Sequence, residues 1–179
     1  MNQVLAYVTA SDMLLSGRLL TWRSPRWFRL WMLWATRLGD GWIWLVTGVA
    51  LMAKGGTCWR ALALGAIAAG IGNALLVLLK RRFRRRRPRD YGLGGDYGLG
   101  RSTPFAFDEF SFPSGHTINA FSIGTAISLT LPVILPVALI CALSIAASRV
   151  VLGMHFVSDV LAGALIGTLV GMSTVLLLG

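Results

Sequence analysis

His155 and Asp159, in the run SRVVLGMHFVSD, stand four residues apart. On a helix this spacing puts both on one face. The carboxylate can then accept the proton on one imidazole nitrogen and leave the other as a nucleophilic lone pair. A purely structural hydrogen bond between the two side chains would satisfy the same spacing. The second group is Pro113-Ser114-Gly115-His116, at an expected helix start. Proline suits a first helical turn, small residues keep backbone N–H groups accessible, and a helix N-terminus attracts anions through its unpaired donors and dipole. His116 is the only other histidine of the chain. Beside such a phosphate cradle, a protonated imidazole can give its proton to a leaving oxygen. The third group is cationic: Lys80 and Arg87 bracket six residues, and Arg149 lies six before His155. Guanidinium groups fork onto phosphate oxygens and lysine adds a compact charge, so the set could neutralise a phosphoryl group. Arg81, Arg82, Arg84, Arg85 and Arg86 read instead as a topology signal or an anionic-lipid patch.

These residues need elements that carry them, and composition says which kind. The 179 residues suit one domain. Hydrophobic residues make up 55% and charged residues 13%, which excludes a disordered tail and argues against a soluble globule. The net charge of +10, from 17 Lys+Arg and 7 Asp+Glu, suggests nucleic acid, anionic lipid or a phosphate-bearing substrate. A basic run capped by uncharged spans on both sides offers little surface to a duplex, so nucleic acid is not expected. Cys58 and Cys141 form no metal-type spacing and read as packing residues.

The first 17 residues contain no Lys or Arg, and Asp12 interrupts the short apolar run there, so the N-terminus is expected to stay on the mature protein. Residues 18–37 mix Arg with Trp and are too charged to cross a bilayer. They suit an interfacial helix or an amphipathic helix packed on the others. Apolar stretches at 41–53, 61–79, 113–130, 134–147 and 157–178 are the span candidates. Asn73 is expected to donate an interhelical hydrogen bond. The expected fold is an all-α polytopic transmembrane helix bundle of about five to six spans with an N-terminal interfacial amphipathic helix. It forms a single domain over 1–179, with 1–40 interfacial and 80–112 an extramembrane active-site loop. In that loop Asp-Tyr-Gly-Leu-Gly occurs twice, at 90–94 and 96–100, and is expected to be a mobile lid. With these spans Lys80, His116, Arg149 and His155 reach one membrane face, and near-membrane ionisable groups are functional candidates by default.

Lys80-x6-Arg87-Pro88, then Pro113-Ser114-Gly115-His116, then Ser148-Arg149-x5-His155-x3-Asp159, resembles the three-part signature of the type 2 phosphatidic acid phosphatase superfamily of membrane lipid phosphatases. The resemblance implies that His155 attacks phosphorus and becomes a phosphohistidine, oriented by Asp159. It implies that His116 protonates the departing oxygen and then helps activate water. Lys80, Arg87, Ser114, the Gly115 backbone N–H and Arg149 would hold the phosphoryl oxygens. No metal or other cofactor is implied, and the sequence has no carboxylate cluster suited to magnesium. Vanadium haloperoxidases share the signature but are soluble and much larger.

The implied partners are the bilayer and a lipid phosphate: undecaprenyl pyrophosphate, phosphatidic acid or phosphatidylglycerol phosphate. The alternatives are a lipid-to-lipid phosphotransferase using the same histidine and a non-catalytic membrane protein that binds anionic lipid through residues 80–89. The expected location is a bacterial cytoplasmic membrane. For the face that carries the site, the resemblance points outward. The positive-inside count points to the cytoplasm, with nine Lys+Arg in 80–112 against Lys54 and Arg60 in the loop between the first two spans.

Overall fold

The computed structural model describes residues 3–21, 24–93 and 110–179. Trp22, Arg23, Gly95 and the second Asp-Tyr-Gly-Leu-Gly copy, and with it most of the expected lid, lie outside the described residues. Every regular element among the described residues is helical. The order is α1 (Gln3–Thr21), α2 (Arg26–Arg37), a π-helical stretch (Leu38–Trp42), α3 (Ile43–Lys54), α4 (Thr57–Phe83), a 3-10 turn (Pro88–Tyr91), α5 (Gly115–Thr130), a 3-10 turn (Pro132–Ile134), α6 (Leu135–Val151) and α7 (Val157–Leu178).

Helices α3 to α7 coincide with the five apolar stretches read from the sequence. Among the described residues three segments are long and apolar enough to cross a membrane by themselves: 57–91, 132–151 and 157–178. The outward faces of α6 and α7 carry exposed Leu139, Leu143, Leu161, Leu165 and Leu169. Water would penalise such a surface, whereas hydrocarbon is its matching solvent.

Helix α5 is the centre of the bundle. Its Ala126 packs with Leu64 and Ala68 of α4 and Val170 of α7, its Ile127 with Leu51 of α3 and Ala61 of α4, and its Ala120 with Ala142 and Ile145 of α6. Since lipid tails are as apolar as leucine, close backbone approach and polar contacts hold such helices together. Asn119 Nδ2 of α5 donates to Asn73 Oδ1 of α4 at 3.2 Å, so the expected interhelical bond exists with Asn73 as acceptor.

The tightest approach is between α5 and α7. Gly163, Gly167 and Gly171 recur every four residues, and a Cβ on each would lie 2.9, 2.5 and 2.6 Å from the carbonyl oxygens of Ser114, Ile118 and Ser122 respectively. Those acceptors are backbone and cannot rotate away. Gly167→Leu is therefore expected to cost about 1–3 kcal/mol or more by forcing the helices apart. The check is a lowered thermal midpoint in detergent. Gly70→Ala, whose Cβ meets nothing within 4 Å, should leave the midpoint unchanged or slightly raised.

Ahead of the π-helical stretch, α1 and α2 dock on the bundle. On α2, Met32, Ala35 and Thr36 are buried while Trp27, Leu30, Trp31 and Trp34 are exposed beside Arg26 and Arg29. The helix thus packs by one face and leaves the other, rich in Trp and Arg, exposed.

Candidate active site

The ends of α4, α5, α6 and α7 meet α1 and the α2–α3 junction in one polar layer. Helix α4 runs past the expected end of its span to Phe83, so Lys80 sits in its last turn, 7% exposed. Arg87 is 2% exposed and immediately precedes the 3-10 turn, where its N–H donates to Asp90 Oδ2 at 3.0 Å. Ser114, completely buried, is the N-cap of α5, and Gly115 is the first helical residue. Pro113 therefore stands outside the helix. The Ser114 N–H donates to the Asp159 carbonyl at 3.1 Å and its hydroxyl accepts from Thr117 Oγ1 at 3.0 Å. The N–H groups of residues 115–117 are the ones for which helix geometry provides no carbonyl of their own helix. Arg149, 2% exposed, is in the last turn of α6 and donates through Nη1 to Thr36 Oγ1 of α2 at 2.5 Å.

His155 and Asp159 do not share a helix face. Helix α7 begins at Val157, Phe156 is its extended N-cap, and His155 lies before it. Asp159 turns back to cap the helix, accepting the Phe156 N–H at 2.8 Å. Its Oδ2 is therefore 3.8 Å from His155 Nδ1, while Nδ1–H donates to the backbone carbonyl of Ser111 at 2.7 Å. The expected direct His–Asp hydrogen bond is replaced by a relay, in which the Ser111 hydroxyl donates to Asp159 Oδ2 and the Ser111 carbonyl holds the ring. His155 lies between the α6 and α7 spans, and burial pushes its imidazole well below its ordinary value. The Asp159 contact opposes that shift, and the charges of Arg149 and Arg87 add to it. A neutral ring whose Nδ1 carries the bonded proton has its lone pair on Nε2.

Arg85 requires a correction, since the sequence reading placed it among surface cations. Its side chain is 3% exposed, and Nη1 donates to Asp159 Oδ1 and Ser158 Oγ, each at 2.7 Å. Nη2 pairs with Asp12 Oδ2 of α1 at 2.7 Å, and the guanidinium lies 4.2 Å from the Phe156 ring centroid. Asp12 in turn accepts the Ser158 N–H at 3.2 Å and the Ser158 hydroxyl, so α1 caps α7.

His116 has a partner that sequence reasoning missed. Its Nε2 lies 2.5 Å from Asp40 Oδ1, in the stretch between α2 and α3. That hydrogen bond is the main reason the Asp40 carboxyl is held below its usual range; the positive charges of His116, Arg149 and Arg37 add to it, while partial burial opposes. Arg149 thus bears electrostatically on both His155 and Asp40. The chain has only seven acidic residues, so Asp12 and Asp40, each beside apolar sequence, carried a weak signal. Ser111, Thr36 and Ser158 carried none.

The layer thus combines an unprotonated imidazole, a second histidine paired with a carboxylate, and buried cations around a helix start. This set suits transfer of a phosphoryl group through nitrogen. The family model described as the PAP2 superfamily matches residues 59–178. The chain is 38% identical over 94 residues to a lipid A 1-phosphatase of Rhizobium etli, covering 50% of this chain and 38% of that protein. It is 36% identical over 105 residues to a decaprenylphosphoryl-5-phosphoribose phosphatase of Mycobacterium tuberculosis, covering 56% of this chain and 52% of that one. The chain thus spans about half or less of these relatives' own lengths. Solved structures resemble it as well, two of them over most of their length. One is the transmembrane PAP2-type phosphatidylglycerolphosphate phosphatase of Bacillus subtilis, with a TM-score of 0.70, 27% identity, and coverage of 94% of this chain and 84% of that one. The other is LpxE of Aquifex aeolicus, with a TM-score of 0.68, 25% identity, and coverage of 89% and 92%.

Proposed function

This chain belongs to the PAP2 superfamily, and from that premise we propose that it is an integral-membrane phosphatase of a bacterial cytoplasmic membrane, removing the terminal phosphate of a lipid phosphate or diphosphate. The observation that carries the reading is the state of His155: buried, held through Nδ1 by the Ser111 carbonyl, and within the field of Arg87 and Arg149. Its Nε2 lone pair attacks phosphorus in line. The bond from phosphorus to the leaving oxygen breaks as His116 gives that oxygen its proton. Water then attacks the phosphohistidine, His116 takes the water's proton, and inorganic phosphate leaves with the lone pair restored to Nε2. Lys80, Arg87, Arg149, Ser114 and the Gly115 N–H hold the phosphoryl oxygens and meet the charge that develops on them. Asp159 orients the nucleophile through Ser111.

The substrate classes that fit are undecaprenyl pyrophosphate, phosphatidic acid and phosphatidylglycerol phosphate, whose tails can enter between helices from the bilayer. The relatives' names add lipid A 1-phosphate and decaprenylphosphoryl-5-phosphoribose as classes to assay. The test is inorganic phosphate release by the purified protein in detergent containing EDTA, with each lipid in turn. Release from at least one of them is expected. A phosphorylated acceptor lipid in place of phosphate would turn hydrolysis into transfer. A folded protein that produces neither would sink the reading.

A further inference from the structure

We infer that Asp40 is a positioning residue that keeps the second histidine, His116, charged and aimed for proton delivery; this rests on the phosphatase reading above. Asp40 lies outside the stretch matched by the family, in the segment Leu-Gly-Asp-Gly-Trp at 38–42. Both flanking glycines have a physical reason to be there. A Cβ on Gly39 would lie 3.1 Å from Ile145 Cγ2 and 3.3 Å from His116 Cδ2, so only glycine lets this backbone lie against the histidine ring without displacing a neighbour. Gly41 has φ +126°, a conformation that L side chains rarely adopt, and it turns the chain from the π-helical stretch into α3. Between them the carboxylate is presented to His116 Nε2 at 2.5 Å.

The need for such a carboxylate follows from the charges around it. The elements packed on the first turn of α5 bring Lys80 from α4, Arg149 from α6 and Asp159 from α7, and α2 adds Arg37. Helix α5 itself carries no other ionisable side chain. Asp159 is already engaged with Arg85, Ser111 and the N-cap of α7. In a layer this rich in cations an imidazolium is electrostatically opposed, and among the described residues Asp40 is an anion in hydrogen-bond contact with it. With Nε2–H donated to Asp40, Nδ1 is the nitrogen that gives its proton to the leaving oxygen and later takes one from water.

A general acid matters in proportion to how poor the leaving group is. An alkoxide, as in phosphatidic acid, needs the proton, whereas the nitrophenolate of 4-nitrophenyl phosphate leaves without it. Asp40→Asn should therefore lower kcat/KM on phosphatidic acid, which reports the steps through leaving-group departure and not the later attack of water, by about 10- to 100-fold, a part of the usual contribution of a general acid, and leave kcat/KM on 4-nitrophenyl phosphate within about threefold. The alkaline limb of kcat/KM on phosphatidic acid should move to lower pH, and Asp40→Glu should restore part of the rate. Retained activity on the aryl substrate shows that the variant is folded. Equal losses on both substrates, or no loss on either, would overturn the assignment while leaving the phosphatase reading intact. The same pair of measurements is made with whichever of the lipids named above the wild-type protein hydrolyses; if it releases phosphate from none of them, the phosphatase reading fails and the assignment goes with it.

Discussion

Replacing His155 by alanine should lower phosphate release by at least about 10⁴-fold, because removing a covalent nucleophile from a catalytic set costs about as much as removing the whole set. A brief reaction with phosphate-labelled lipid followed by alkaline denaturation, which preserves phosphohistidine, should leave label on the wild-type protein and none on the variant. Labelled protein that survives His155→Ala would place the nucleophile elsewhere. The pH dependence follows from the same geometry. Burial holds the imidazole of folded His155 below its ordinary value of about 6.5, so the nucleophile stays neutral as pH falls through that value. The rate of label uptake should therefore not collapse with a midpoint near pH 6.5. The sign for stability is opposite in feel but has the same cause. Below about pH 6.5 the unfolded state binds the proton that the folded state refuses, so this contribution to stability is full above that pH and drains as pH falls.

Arg85→Met should be the most damaging change outside the signature residues. The guanidinium pairs at 2.7 Å with both Asp12 and Asp159, and all three side chains are buried. Removing one partner of a buried ion pair costs about 3–5 kcal/mol because the remaining charge is stranded, and here two carboxylates would be stranded together. That is a large part of the 5–15 kcal/mol by which domains are usually stable. Activity should fall by at least about 100-fold, the scale of a supporting partner in a site whose geometry acts as a unit. Without Arg85, Asp159 no longer holds Ser111 in place, and Ser111 holds the nucleophile. Adding Asp12→Asn to Arg85→Met should return part of the lost thermal stability by removing one stranded charge. It should not return activity, because Asp159 still lacks its partner. Recovery of both would make Arg85 a packing residue only, and a wild-type melting midpoint in Arg85→Met alone would refute the buried network.

Much of this protein was legible before its fold was known. Hydrophobic runs of 19 and 22 residues define α4 and α7 because a bilayer leaves the backbone few alternatives to a helix. Two histidines with a serine, a glycine and three cations stood at spacings that resemble the signature of the PAP2 superfamily, and that resemblance pointed to a phosphoryl group as the substrate. The expectation of a direct bond between His155 and Asp159 failed for a local reason. A four-residue spacing reads as one helix face only inside a helix, and here the helix begins between the two residues, so its N-cap claims the carboxylate.

Arg85 could not be sorted from Arg81, Arg82, Arg84 and Arg86 by inspection, because neighbouring arginines are chemically identical until a turn buries some and exposes the others. The helix ends at Phe83 with Arg84 in the left-handed region, and beyond it Arg85 and Arg87 are buried while Arg84 and Arg86 stay exposed. Asp12, Thr36 and Asp40 lie more than seventy residues from the partners they serve, so no local pattern linked them. Sequence by itself determined the helices and the membrane as solvent, since these follow from composition and short-range periodicity, and its resemblance to the superfamily signature singled out the candidate reactive groups. Tertiary structure alone decided which cation supports Asp159, which carbonyl orients His155 and which carboxylate holds His116, because burial and pairing exist only once distant helix ends meet.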